Sequence, residues 1–331
     1  SQSGTTTDTN RTVDLVRARG AVVIAIVNRR NSDLTDKADG VLYTSDGRDV
    51  EMSVASTKAF YAQIAAGFLL AVAIGDVVDG GARVSAADRQ ALLRALRDIP
   101  DKMTEVLTRR PAIAEAARQH APSRRYWAVV GNGPNYIAAK ELRIKLSELC
   151  YKSIAHDSTE DKKHIDLSSE PLILVCAAGL RGSTADDVAK ETAIFRAHKA
   201  TPIVIADEGE LRYSSAGTIT VPPVDPALGF VLSAMVGHLF GYEAALAIDG
   251  SARPLREARE LIERSVATTA TGDAALAAIR EELPALAERF FAGIRDHYYD
   301  GHLEASTAVR LTGVLRDALS ASPVEQYAAS S

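Results

Sequence analysis

Four of the first six residues carry a hydroxyl: Ser1, Ser3, Thr5 and Thr6, in SQSGTT, directly ahead of a helix-like stretch. The N–H groups of a helix's first turn are unsatisfied and carry partial positive charge. Hydroxyls added to that frame make a phosphate cradle that needs no lysine. One hydroxyl there is an ordinary N-cap, since Ser and Thr favour the position. Four of them, with Gly4 permitting close backbone approach, favour an anion site. VASTKAF at residues 54–60 repeats the device, with Ser56 and Thr57 leading a helix and Lys58 behind. Alone, it reads as a cap.

A second informative stretch is GNGPNYIAAKELRIKLSEL. Gly131 and Gly133 follow a strand-like run and open a helix, which aims the first turns of that helix at a cleft beyond the strand ends. A dinucleotide fingerprint needs a third glycine near Asn135 or Tyr136, and there is none. On the helix, Glu141, Lys145 and Glu148 stand at i, i+4 and i+7 and share one face. Two carboxylates flanking an ammonium suit proton transfer beside a carbonyl: one carboxylate takes the proton while the lysine polarises the oxygen. From spacing alone, a solvated face with i,i+4 pairing is the simpler account. His164, in DKKHIDLSSEP, follows two lysines and sits among acids. An isolated histidine of this kind is usually a surface residue.

The elements that must position these groups alternate. Residues 6–19 fit a helix, 21–27 and 40–45 short strands, and 56–78 a long helix with an apolar stripe. Strands and helices joined by short loops make a parallel sheet covered by helices. Residues 85–121 read as a helical connector punctuated by DIP and RRP. The alternation then restarts, with strands in RYWAVVG, PLILVCAAG, TPIVIAD and TITV, and helices over 136–151, 183–199 and 228–248. The rest is helical from Ser251, with TTATGDAA as a break. The chain therefore reads as two α/β units in tandem. A parallel unit starts with a strand that delivers the chain to its binding turn, so a preceding segment is expected ahead of Ser1.

A chain of 331 residues has room for two domains, and 47% apolar residues supply their cores. A net charge of −5 argues against general nucleic-acid binding, which needs a basic face, but not against a locally held phosphate. Cys150 and Cys176 lack ligand spacing, so two free thiols in a reducing cytoplasm are expected, with no metal site. AFYAQIAAGFLLAVAIGDVV is interrupted by Gln63 and Asp76 and reads as a buried helix rather than a membrane span.

Together these stretches resemble the isomerase portion of glutamine–fructose-6-phosphate aminotransferase, the glucosamine-6-phosphate synthase family. SQSG with its threonines resembles the family's phosphate loop, where a Glu usually stands at the position of Thr5. VASTKAF matches the second sugar-contacting loop, and the order and spacing of elements fit from Ser1 to about Leu261. The resemblance implies two tandem SIS-type domains, flavodoxin-like with parallel sheets. The first would occupy residues 1–84, a helical connector 85–122, the second domain 123–250 and a helical C-terminal extension 251–331.

Residue by residue, the resemblance implies that Ser1, Gln2, Ser3 and Thr6 bind phosphate and that Val54 and Ser56 contact the sugar. Glu148 falls on the base that shuttles a proton between C1 and C2, with Lys145 and Glu141 as its helix partners. His164 lines up with the ring-opening histidine, which serves the neighbouring subunit and so implies a homodimer; the family's flanking Gly and Gly-Pro are absent here. Arg259 stands where the family has a Schiff-base lysine, and arginine cannot form that imine. It would instead clamp an anion, on a segment that closes over the sugar. No metal or organic cofactor is implied, and the ammonia would come from a glutaminase domain not contained in this sequence. Two alternatives remain: another phosphosugar isomerase or deaminase, and a phosphosugar sensor that has lost the chemistry.

Overall fold

Short β-branched runs become parallel strands here, and the stretches between them become helices. The computed structural model describes residues 1–46, 56–79, 84–165 and 167–330. The chain divides into two units, Ser1–Lys102 and Met103–Ser331.

The first unit opens on the hydroxyl-rich turn and enters α1 (Thr7–Arg17), then β1 (Ile24–Val27), α2 (Asp33–Lys37) and β2 (Gly40–Tyr43). β1 and β2 pair in parallel. Val13, Ala25, Val27 and Leu34 form a small core between the helices and these strands. α3 (Thr57–Asp79) follows. The sequence suggested that this helix is buried, and the structure corrects that. Its most apolar window holds no buried residue, and Val77 and Val78 are 85% and 77% exposed. The physical reason is coverage: α3 rests on β1, and two four-residue strands are too narrow a surface for a 23-residue helix. By length and composition α3 could cross a membrane, as could α9 (Gly229–Thr268), two-thirds of whose window is buried.

α4 (Ala86–Thr108) carries the chain across the boundary between the two units. Pro100 sits within α4, so DIP does not break the helix as its sequence suggested. RRP does start a new one: α5 (Arg110–His120) begins with a proline in its first turn. α5 packs on α9 and buries Ile113 and Ala117, which makes the end of the expected connector part of the second unit's core.

The second unit continues with β3 (Trp127–Gly131), α6 (Asn135–Cys150), β4 (Ile154–Asp157), α7 (Thr159–Lys162), β5 (Leu172–Cys176), α8 (Gly182–Ala197), β6 (Thr201–Asp207) and β7 (Gly217–Val221). Its sheet is parallel throughout, in the order β4-β3-β5-β6-β7. That is the flavodoxin-like order, reversing direction beside the first strand. β3, β5 and β6 are buried along their whole length. α9 (Gly229–Thr268) is one helix of 40 residues, so the expected domain limit at residue 250 falls in mid-helix. α10 (Gly272–Arg295), capped by Thr271, then α11 (Ala305–Leu319) and α12 (Pro323–Ser330) complete the chain. A separate core of Ala258, Leu261, Ile279, Leu283, Phe290 and Leu315 joins α10 and α11 to the far half of α9. Lys152 ties this extension back to the sheet domain: its ammonium donates to the carbonyls of Arg124 and Gly301, at 3.0 and 2.6 Å.

Both cysteines are buried and free. Burial pushes each thiol up to about 12, so neither forms appreciable thiolate at neutral pH. A disulfide-exchange reagent at pH 8 is expected to label neither Cys150 nor Cys176 in the native protein and both after unfolding. Fast native labelling of either would contradict the packing described.

Candidate functional site

The hydroxyl-rich turn is shaped by its backbone. Gly4 has φ +68°, and a Cβ there would run into the Ser32 side chain, so both conformation and space require glycine. Asn10, buried on α1, donates its side-chain amide to the carbonyls of Gly4 and Thr6, both at 3.1 Å. The Gln2 carbonyl accepts from the N–H groups of Asn28 and Arg29, just beyond β1. Three of the turn's carbonyls are thus engaged by the fold. Its hydroxyls serve the turn itself: Ser1 Oγ accepts from Gly4 N–H at 3.1 Å, and Ser3 Oγ from Thr5 N–H at 3.3 Å. Thr6 stands at the N-cap of α1 without a side-chain cap bond. Gln2 Oε1 is buried with no hydrogen-bond partner among the described residues. Asn10 was not evident from the sequence, where it is one polar residue of an amphipathic helix.

Ser56 lies just before α3 with φ +49°, a conformation uncommon outside glycine. Val54, the other sugar-contacting candidate, lies outside the described residues.

In the second unit, α6 carries the three charged candidates. Lys145 is 8% exposed. Its Nζ lies 3.8 Å from Glu141 Oε1 and 3.6 Å from Glu148 Oε2. Spacing alone suggested a solvated face; burial overturns that for Lys145 and Glu141, whereas Glu148 keeps a side chain 43% exposed. A buried ammonium between two carboxylates, one of them open to solvent, is a group built to hold charge where a substrate can reach it.

The position of this group along α6 also differs from expectation. The helix starts at the Gly131–Gly133 turn, but Glu148 stands in its last turn, about 20 Å along the axis from Asn135. The group therefore does not sit in the crevice at the strand ends. At the start of α6, Asn135 Nδ2 donates to Ala178 O at 2.8 Å, and Ser233 Oγ donates to Asn135 Oδ1 at 2.7 Å.

His164 follows α7, beyond the C-terminal end of β4, whereas α6 delivers Glu148 just ahead of β4's N-terminal end. The two therefore lie toward opposite ends of one sheet, and the fold does not bring them together within a chain. His164 is 69% exposed, with Nε2 3.5 Å from Glu160 Oε1. Lys163 and Glu191 bond Glu160 and hold its carboxyl down to about 2. Burial raises that of Glu191.

Arg259 lies on the regular helix α9 with a side chain 78% exposed, bonded through Nε to Glu263 Oε1 at 2.7 Å, one turn on. The described segment is a solvated helix face. No group of three or more metal-ligating residues occurs among the described residues.

Sequence reading missed one neighbour of Glu141. His238, buried on α9, places Nε2 3.4 Å from Glu141 Oε1. The available signal was GHLFG, a histidine between two glycines four residues apart on an apolar helix.

A parallel α/β unit with a hydroxyl-rich turn at a helix start defines the class, and residues 1–73 match the SIS domain family. The chain is homologous to the isomerase portion of the glutamine–fructose-6-phosphate aminotransferases. It is 33% identical over 250 residues to the enzyme named glutamine–fructose-6-phosphate aminotransferase [isomerizing] of Thermus thermophilus, covering 74% of this chain and 40% of that one. The Halobacterium salinarum protein of the same name is 31% identical over 265 residues, 78% of this chain and 42% of that one. The chain thus spans about two-fifths of the length of these relatives. In structure it resembles the C-terminal domain of glucosamine-fructose-6-phosphate aminotransferase from Francisella tularensis, with TM-score 0.68, 20% identity, and 74% of this chain and 69% of that one covered. It also resembles tagatose-6-phosphate ketose/aldose isomerase from Escherichia coli, with TM-score 0.58, 19% identity, and 74% and 66% covered.

Proposed function

We propose that this chain is the sugar-converting part of a glutamine–fructose-6-phosphate aminotransferase, forming glucosamine 6-phosphate from fructose 6-phosphate and ammonia. The observation that carries the reading is Lys145, buried between Glu141 and Glu148 on α6. The homology to aminotransferases supports the choice of reaction.

The SQSGTT turn takes the phosphate, its oxygens replacing the hydroxyls as acceptors for the turn's N–H groups. Ser56 and Val54 contact the sugar. His164 of a neighbouring subunit opens the ring, an assignment supported by its position at the sheet end opposite its own Glu148. Ammonia adds at C2 and water leaves, giving the imine. Glu148 then takes a proton from C1 and returns one to C2, while Lys145 stabilises the charge that develops. The ammonia comes from a glutaminase domain, and the working assembly is a cytoplasmic homodimer. Arg259 takes no part as a nucleophile, so borohydride reduction with fructose 6-phosphate is expected to leave no adduct on residues 251–331.

The test is product formation by mixed subunits. Glu148→Gln and His164→Ala proteins are each expected to make almost no glucosamine 6-phosphate from fructose 6-phosphate and ammonium. Unfolded and refolded together, they are expected to recover activity that neither parent has. Activity in the wild type without recovery in the mixture would place His164 outside the site. No product from the wild type would favour a phosphosugar sensor, the reading that the missing Schiff-base lysine supports.

A further inference from the structure

His238 faces the buried charges from a second helix, and the packing that brings it there is specific. α9 crosses α6 at Gly237 and Gly241. A Cβ on Gly237 would run into the buried Leu142 side chain, and one on Gly241 would stand 3.0 Å from Leu146 Cδ2. The two glycines let the helices approach closely, and the residue between them on that face is His238, 8% exposed at its side chain. The same carboxylate oxygen, Glu141 Oε1, lies 3.4 Å from His238 Nε2 and 3.8 Å from Lys145 Nζ. The His238–Glu141 approach is a close contact without hydrogen-bond geometry; it confines Glu141 from α9 as Lys145 does from within α6, and Lys145 lies between Glu141 and Glu148.

We propose that His238 is a positioning residue for proton transfer: by holding Glu141 from α9, it keeps Lys145 Nζ beside Glu148. The proposal rests on the role assigned above to Glu148 and Lys145. The physical reason is geometric. Lysine has a long flexible stem, and a buried ammonium settles where its counter-charges are. Without His238, the Glu141 carboxylate has one restraint fewer and can draw Lys145 away from Glu148. Misplacement of a catalytic group by about 1 Å can cost on the order of 100-fold in rate. Binding need not change, because the phosphate turn is elsewhere in the chain.

The test compares His238→Leu, His238→Gln, Glu141→Gln and the His238→Leu, Glu141→Gln double variant. Fructose 6-phosphate turnover is measured with saturating ammonium, and folding is checked by thermal melting. His238→Leu is expected to lower kcat about 10- to 100-fold with little change in KM. His238→Gln, which keeps a polar side chain against Glu141, is expected to restore most of that loss. The double variant should be no slower than the slower single one, because both act through one path. Wild-type kcat in folded His238→Leu overturns the proposal, as does additive loss in the double variant. Equal loss in His238→Gln and His238→Leu overturns it too, since a polar contact on Glu141 would then be irrelevant. A wild type that turns over no sugar would overturn the proposed function itself, and the positioning role with it.

Discussion

Glu148→Gln is expected to lower the rate of solvent-proton exchange into fructose 6-phosphate by about 100- to 10,000-fold, the usual cost of removing a general base. Glutamine keeps the size of the side chain and loses only the ability to carry a proton. Glu148 is the exposed member of its group, so the variant should fold and should bind the sugar phosphate nearly as tightly as the wild type. Lys145 retains Glu141 as a counter-charge, at 3.8 Å. The fall should therefore appear in kcat and not in KM. Exchange by Glu148→Gln at the wild-type rate would remove Glu148 as the base.

Ser3→Ala with Thr6→Ala is expected to weaken fructose 6-phosphate binding by about 100- to 10,000-fold, because two hydrogen bonds to a charged group contribute about 1.5–3 kcal/mol each. The turn should survive the change. Gly4, Asn10 and the Gln2 carbonyl fix its backbone, and Thr6 makes no cap bond to lose. Calorimetric titration reads the affinity directly. Unchanged affinity in the double variant would mean that the hydroxyls only cap α1.

Which parts of this were legible in the sequence follows from what is local. LILVC in β5 is an uninterrupted apolar run that can only be a buried strand, and it is one. TTATGDAA breaks the helices because Thr271 caps the next one. β4, IAHD, escaped notice: an edge strand of four residues carrying His156 and Asp157 has no apolar run to announce it. The α3 stripe promised burial, but burial depends on the area of sheet available, which the helix itself does not encode. The candidate charges of α6 could be named from their spacing, yet their burial could not. It is created by α9, nearly a hundred residues later in the chain, approaching through Gly237 and Gly241. The same holds for His164 and Glu148, whose separation follows from β4 running between them. The chemical roles themselves came from the resemblance, since spacing alone favoured plain solvent pairing on the α6 face.

The central claim is that the α6 face moves a proton on a phosphosugar. The most direct measurement is proton magnetic resonance of fructose 6-phosphate incubated with the protein and ammonium in deuterated water. The account predicts that carbon-bound protons at C1 of fructose 6-phosphate are replaced by deuterium and that glucosamine 6-phosphate accumulates with deuterium at C2, and that Glu148→Gln suppresses both. A protein that binds the sugar yet leaves those protons unexchanged would contradict it.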